Sequence, residues 1–100
     1  MKFHLRVYDN FHYTDESEAY NHGQYETYEE ALAVAKAIVD EFLVHNWKKG
    51  STENELIVQF LFYGEDPIIL PNGHGEQESF SARKYVVTRA AEICRKLEAQ

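Results

Sequence analysis

The chain has 100 residues, of which 44% are hydrophobic and 14% aromatic, and its formal net charge is −7. This length and apolar content predict a single folded domain spanning residues 1–100 and exclude a chain that is disordered throughout. The negative charge argues against a nucleic-acid-binding protein, because binding to phosphates normally requires a basic patch.

The first residues alternate in polarity. Phe3, Leu5 and Val7 fall on one side of residues 2–8 and polar residues on the other, which predicts a half-buried strand. The segment from Asp9 to Thr27 follows, with three Tyr, one Phe, two His and five acidic residues but no Lys or Arg. We expect Gly23 to interrupt it and residues 24–26 to form a short strand beside the first.

Two helices are predicted next. Thr27 and Glu30 have the spacing of a capping box, which indicates a helix from Thr27 to about Asn46. Residues 51–63 are ambiguous, because their apolar run suits a buried strand whereas Thr52, Glu55 and Gly64 supply helix start and stop signals. We favour a short helix, apolar on all sides and therefore buried or at an interface.

The last third of the chain contains a turn at residues 64–67, a short strand at 68–70 and a final helix that begins at Ser81. The apolar stripe predicted for that helix consists of Val86, Val87, Ala90, Ile93, Cys94 and Leu97. This order predicts a small two-layer α+β domain in which three helices cover a short, about three-stranded sheet. A homodimer formed through the apolar second helix or a sheet edge is also expected.

Cys94 is the one cysteine, so an intramolecular disulfide is excluded and a buried structural thiol is predicted. The first residues lack the apolar run of a signal peptide, no stretch is long enough to span a bilayer, and no lipidation signal is present. These features predict a soluble cytoplasmic protein that does not associate with membranes.

The charges are segregated along the chain. Residues 9–30 contain seven acids and residues 53–78 contain six, and neither stretch has a Lys or Arg. Residues 83–96 contain five bases and one acid. If the two acidic stretches lie close together in the fold, we expect their field to attract cations or a basic partner.

The aromatic and acidic segment is the best candidate for a site, because such side chains usually lie half-buried and form hydrogen bonds at a rim or pocket. The residues predicted to contact a ligand or partner are Tyr8, Asp9, His12, Tyr13, Asp15 and Tyr20. An alternative is a metal site formed by His12, Asp15, Glu16 and His22, although their spacing matches no standard motif.

No catalytic motif is recognisable, since neither a Ser–His–Asp nor a Cys–His arrangement can be identified. We therefore predict a small binding or regulatory module that uses residues 9–27, without a cofactor, to recognise a basic protein or a small ligand. A metal-dependent enzyme or metal carrier using the same segment is the alternative.

Four motifs together resemble a family of small, uncharacterised bacterial proteins. They are DNFHYTDESEAY at 9–20, TYEEA at 27–31, GEDP at 64–67 and FSA at 80–82. The opening motif is the most specific of the four, and the resemblance covers most of the chain. It implies a bacterial cytoplasmic protein of unknown function and transfers no site residues.

Overall fold

The computed structural model describes residues 2–9, 20–71 and 80–99. Within these ranges the elements are β1 (Phe3–Asp9), β2 (Tyr20–Tyr25), α1 (Tyr28–Asn46), α2 (Glu53–Tyr63), β3 (Glu65–Pro71) and α3 (Ala82–Glu98). The predicted α+β class, with three helices and a three-stranded sheet, is confirmed.

The sheet has the strand order β2-β1-β3, and β1 is antiparallel to both of its neighbours. Leu5 and Val7 are fully buried, as the alternating pattern of β1 predicts. Leu5 pairs with Gly23 and Arg6 with Asn21, so His22 is the extra residue of a β-bulge in β2. We predicted that Gly23 would interrupt this segment. Instead, Gly23 pairs with Leu5 within β2.

Two strand boundaries predicted from the sequence are wrong. β2 begins at Tyr20 rather than at Gln24, and β3 begins at Glu65 rather than at Ile68. Neither added stretch has the alternation of apolar and polar residues that predicts a strand. Residues 20–23 are mostly polar, and residues 64–67 have the composition of a turn. Pairing with β1 determines both strands, since Val7 lies opposite Tyr20 on one side and opposite Pro67 on the other.

The helix starts agree with the sequence. Thr27 and Glu30 form a complete capping box at α1, and Thr52 and Glu55 form another at α2. The second box resolves the ambiguity of residues 51–63 in favour of a helix. Ser81 caps α3 by accepting a hydrogen bond of 3.3 Å from the amide of Lys84.

The hydrophobic core lies between the sheet and the helices. α1 and α3 contact the sheet, and α2 packs mainly against α1 and α3. The largest fully buried side chains are Leu5, Val7, Val39, Leu43, Leu56, Phe60, Pro67, Ile69 and Val86. Ala31 and Ala35 on α1 and Ala90 on α3 are also buried, and their small side chains allow close packing.

One residue of the predicted α3 stripe faces solvent. Val86, Ala90, Ile93 and Cys94 are buried, but Val87 is 57% exposed because it lies one position beyond the inward-facing row. The buried thiol predicted for Cys94 is confirmed, and its Sγ lies 3.7 Å from the carbonyl oxygen of Ser51. Among the described residues, none of the helices has the length and apolar character needed to cross a bilayer.

Candidate functional site

An open cleft lies between the C-terminal half of α1 and the end of the sheet at which β2 and β3 begin. Its volume is about 740 Å³, within the usual range of small-ligand sites. The described residues that line it are Tyr20, His22, Ile38, Asp40, Glu41, Phe42, Val44, His45, Asn46 and Glu65. Three of them are acidic, three are aliphatic or aromatic residues of α1, and none is Lys or Arg.

A hydrogen bond between the two edge strands forms one wall of this cleft. The Tyr20 hydroxyl donates to Oε2 of Glu65 at 2.8 Å, passing over the central strand β1. Val7 lies opposite Tyr20 and Asp9 lies opposite Glu65, so both residues project on the side of the sheet that the helices cover. Burial, followed by the hydrogen bond to Glu65 and its charge, raises the pKa of Tyr20 to about 12.

An imidazole lies beside that phenol at the β-bulge. The rings of His22 and Tyr20 have centroids 6.3 Å apart, and Nδ1 of His22 lies 3.4 Å from the hydroxyl oxygen of Tyr25. Ordinary alternation puts His22 on the same side of the sheet as Tyr20, with Asn21 between them on the other side. The extra residue keeps this pair on the same side as Gly23 and Tyr25. Bulges often redirect a side chain in this way near functional sites.

Asp40 lines the cleft but is already engaged by α3. It accepts hydrogen bonds from Tyr85 Oη at 2.8 Å, Arg89 Nε at 3.0 Å and Arg89 Nη2 at 3.3 Å. Burial, with the hydrogen bond to Asp40 and its charge, raises the pKa of Tyr85 to about 12. The hydrogen bond that Arg89 donates to Asp40 likewise raises the pKa of Arg89. The Arg89 charge offsets that of Asp40, so Glu41 and Glu65 are the cleft acids whose charge faces an incoming group.

The structure brings the two acidic stretches together at this end of the sheet. Asp9, from the first stretch, lies directly opposite Glu65, from the second, in the pairing of β1 with β3. The next pair is Tyr8 with Asp66, and Asp66 is only 7% exposed. Negative charge from both stretches is therefore concentrated at this end of the sheet.

The residues predicted to form a single site separate into three groups. Tyr20 lies in the cleft, and Asp9 lies beside it in the sheet. Tyr8 projects from the opposite face, where Arg6 lies 5.5 Å from its ring centroid and donates to its hydroxyl at 3.3 Å. The other three predicted contact residues, His12, Tyr13 and Asp15, lie outside the described residues, as do all of residues 10–19.

The predicted metal site is not tested by this geometry. His22 is its only described member, since His12, Asp15 and Glu16 all lie outside the described residues. Across the part of the chain that the structure describes, no three His, Cys, Asp or Glu side chains are grouped closely enough to hold a metal ion. The metal hypothesis stays a prediction from sequence.

Sequence reasoning missed the half of the cleft that α1 provides. Ile38 and Phe42 pack against the core, and they are half-buried because each also lines the cleft. Glu41 and His45 are one helical turn apart, and that spacing was the one available signal that they share a face. Nothing in the sequence indicates that this face lies beside Tyr20 and Glu65.

The chain matches no protein-family model, and neither a curated protein nor a solved structure shows significant similarity to it. The resemblance inferred from the DNFHY and GEDP motifs therefore stays a prediction.

Proposed function

We propose that this protein is a small cytoplasmic binding module, and that its ligand is an organic cation with an apolar body that occupies the cleft. The charged group of the ligand is a primary ammonium or guanidinium, carried either by a free small molecule or by a Lys or Arg side chain of a protein. The observation that carries the proposal is the composition of the cleft wall, in which Glu41, Glu65 and Tyr20 occur together with apolar residues of α1.

The apolar part of the cleft suits the body of such a ligand. Ile38, Phe42 and Val44 contribute to it, and Val44 is 49% exposed. An aliphatic or aromatic group placed there would gain about 25 cal/mol for each Å² of apolar surface that it removes from water.

The acidic rim suits the charged end. Glu65 accepts a hydrogen bond from Tyr20, which fixes its position and leaves its second carboxylate oxygen able to accept from a ligand. Tyr20 is 45% exposed, so its ring presents a face to a cation as well. Because the described lining residues include no Lys or Arg, Glu41 and Glu65 would repel an anionic ligand group.

A pair of ligands matched in shape but opposite in charge tests the proposal. We expect 2-phenylethylamine to shift the amide resonances of the cleft residues during an NMR titration, whereas 3-phenylpropionate should not. A lysine-containing peptide added in a second titration shows whether a protein side chain binds more tightly than the free amine. Equal binding of amine and carboxylate, or no binding of the amine and the peptide, would contradict the proposal.

Variants then locate the site. Glu65→Gln and Glu41→Gln should each weaken amine binding roughly two- to fivefold, as expected for a partly exposed ion pair of about 0.5–1 kcal/mol. Glu29→Gln is the matched control, because it removes the same charge from the exposed first turn of α1, outside the cleft. If Glu29→Gln weakens binding as strongly as the cleft variants, the overall negative charge of the protein is responsible rather than this cleft.

A further inference from the structure

The second half of α2 presents an apolar face to solvent. Val58 is 51% exposed, Phe62 62% and Tyr63 63%, and these are half of the large hydrophobic side chains described as exposed. The rings of Phe62 and Tyr63 lie 6.4 Å apart and form one patch. Residues 56–63 include no charged side chain, in a protein whose net charge is −7.

A shallow hollow lies on the same face, nearer the start of the helix. Asn54, Glu55, Val58 and Gln59 line it. Phe62 lies one turn beyond Val58 and two turns beyond Asn54, so the protruding ring and the hollow lie along one row of the helix. A face that carries both a protrusion and a hollow of this kind can be complementary to a second copy of itself.

We infer that two copies of this chain associate through α2, with the two helices antiparallel and crossing at Val58. A twofold axis through Val58 places Phe62 of each copy over Asn54 and the hollow of the other, so both rings are covered by the same operation. This inference does not depend on the proposed function of the cleft.

Charge selects the antiparallel arrangement over the parallel one. Parallel helices would bring Glu53 and Glu55 of both copies side by side. In the antiparallel arrangement the two Glu53 residues are ten positions apart along the axis, about 15 Å, and the two Glu55 residues six positions apart, about 9 Å. Both separations exceed the screening length of about 8 Å at physiological ionic strength, so the repulsion is smaller than between parallel helices.

The size of the face indicates how strong the association is. Two aromatic side chains and a valine, each more than half exposed, provide roughly 300 Å² of surface on each copy, given about 150–250 Å² for a whole aromatic residue. Stable dimers bury about 800 Å² per partner. We therefore expect a weak dimer, with a dissociation constant in the micromolar to millimolar range.

Sedimentation velocity over a concentration series tests the association. The wild-type protein should shift from monomer to dimer as its concentration rises towards about 1 mM, the weak end of specific binding. Phe62→Asp should raise the dissociation constant at least tenfold. Val87→Asp is the matched control, because it introduces the same charge at a valine of α3 with similar exposure, 57%, and should leave the dissociation constant unchanged. Thermal melting verifies that both variants fold.

Cysteine cross-linking tests the position of the axis. In a Cys94→Ala background, Val58→Cys should form a disulfide-linked dimer on mild oxidation, because a residue on a twofold axis meets its own copy. Val87→Cys should cross-link only at the rate of random collision. A protein that stays monomeric throughout the series, a dimer unaffected by Phe62→Asp, or equal cross-linking at the two positions would overturn the inference.

Discussion

Tyr20 and Glu65 lie on opposite edges of the sheet, and a hydrogen bond of 2.8 Å joins them across β1. It forms one wall of the cleft and connects β2 to β3, which do not pair with each other in the described sheet. Both side chains are exposed, so the bond contributes to organising the cleft more than to overall stability.

A double-mutant cycle measures this contact. We expect Tyr20→Phe and Glu65→Gln each to lower the free energy of unfolding by about 0.5–1 kcal/mol, because each removes one partner of a solvent-exposed hydrogen bond. The double variant should cost less than the sum of the two single variants. Urea denaturation of the four proteins gives the coupling energy, and strictly additive losses would show that the two groups do not interact in solution.

The contact of Asp40 with Arg89 and Tyr85 should contribute more to stability. Asp40→Asn should lower the free energy of unfolding by about 1–3 kcal/mol, because the half-buried Arg89 guanidinium loses its carboxylate partner. Glu41→Gln is the matched control, since it neutralises the adjacent exposed acid and should change stability by less than about 0.5 kcal/mol. Equal losses in the two variants would contradict a structural role for the Asp40 cluster.

Alkaline pH should destabilise the protein through its shifted tyrosines. The pKa of Tyr85 is about 12 in the folded protein and 10.0 in an unperturbed phenol, so below pH 10 the group is protonated in both states. Between pH 10 and 12 the unfolded chain releases this proton while the folded protein retains it, so stability falls as the pH rises. After allowance for solvent screening, we expect Tyr85 to account for a loss of about 1–2 kcal/mol.

Tyr85→Phe provides the measurement for that expectation. The variant should start from a lower stability at neutral pH but lose less of it between pH 10 and 12. Phenolate absorbance should independently show Tyr20 and Tyr85 titrating near pH 12. An identical alkaline decline in variant and wild type would mean that Tyr85 has an ordinary pKa.

Two glycines should respond to alanine for different reasons. A Cβ on Gly64 would lie 2.5 Å from Cδ1 of Phe60 and 2.8 Å from its carbonyl oxygen, although the φ of −78° suits any residue. A Cβ on Gly50 would meet nothing within 4 Å, but its φ of +93° is strained for alanine. We expect Gly64→Ala to cost about 1–3 kcal/mol by overpacking and Gly50→Ala to cost about 1 kcal/mol by backbone strain.

Asparagine distinguishes the two mechanisms, because it tolerates positive φ better than alanine does. Gly50→Asn should recover part of the stability lost in Gly50→Ala, whereas Gly64→Asn should be at least as unstable as Gly64→Ala. Thermal melts of the four variants suffice. Recovery at Gly64, or its absence at Gly50, would refute the assignment of the two causes.

The features that the sequence predicted correctly depend on neighbouring residues. The capping boxes at Thr27 and Thr52 use partners three residues away, and the buried side of β1 follows from simple alternation. From such local signals the α+β class and the three helices could be predicted.

The features that could not be predicted from the sequence depend on residues that are distant in the chain. Tyr20 and Glu65 are 45 positions apart, as are Asp40 and Tyr85, and no local pattern indicates either contact. The residues at 64–67 have turn-forming chemistry, yet Glu65, Asp66 and Pro67 belong to β3 because β1 provides their pairing partners. For the same reason, of the cleft assembled from α1, β2 and β3, the sequence predicted only Tyr20 as a contact residue and His22 as a member of the alternative metal site.

The position of β1 also has a consequence for the order of folding. β1 comes before the other described elements in the chain, yet it lies in the middle of the sheet and pairs Phe3 with Pro71. An isolated pair of strands is marginally stable in water, so during synthesis Leu5 and Val7 stay uncovered until β3 has left the ribosome. α1, whose 19 residues make mostly local contacts, is therefore expected to become helical before the sheet on which it rests is complete.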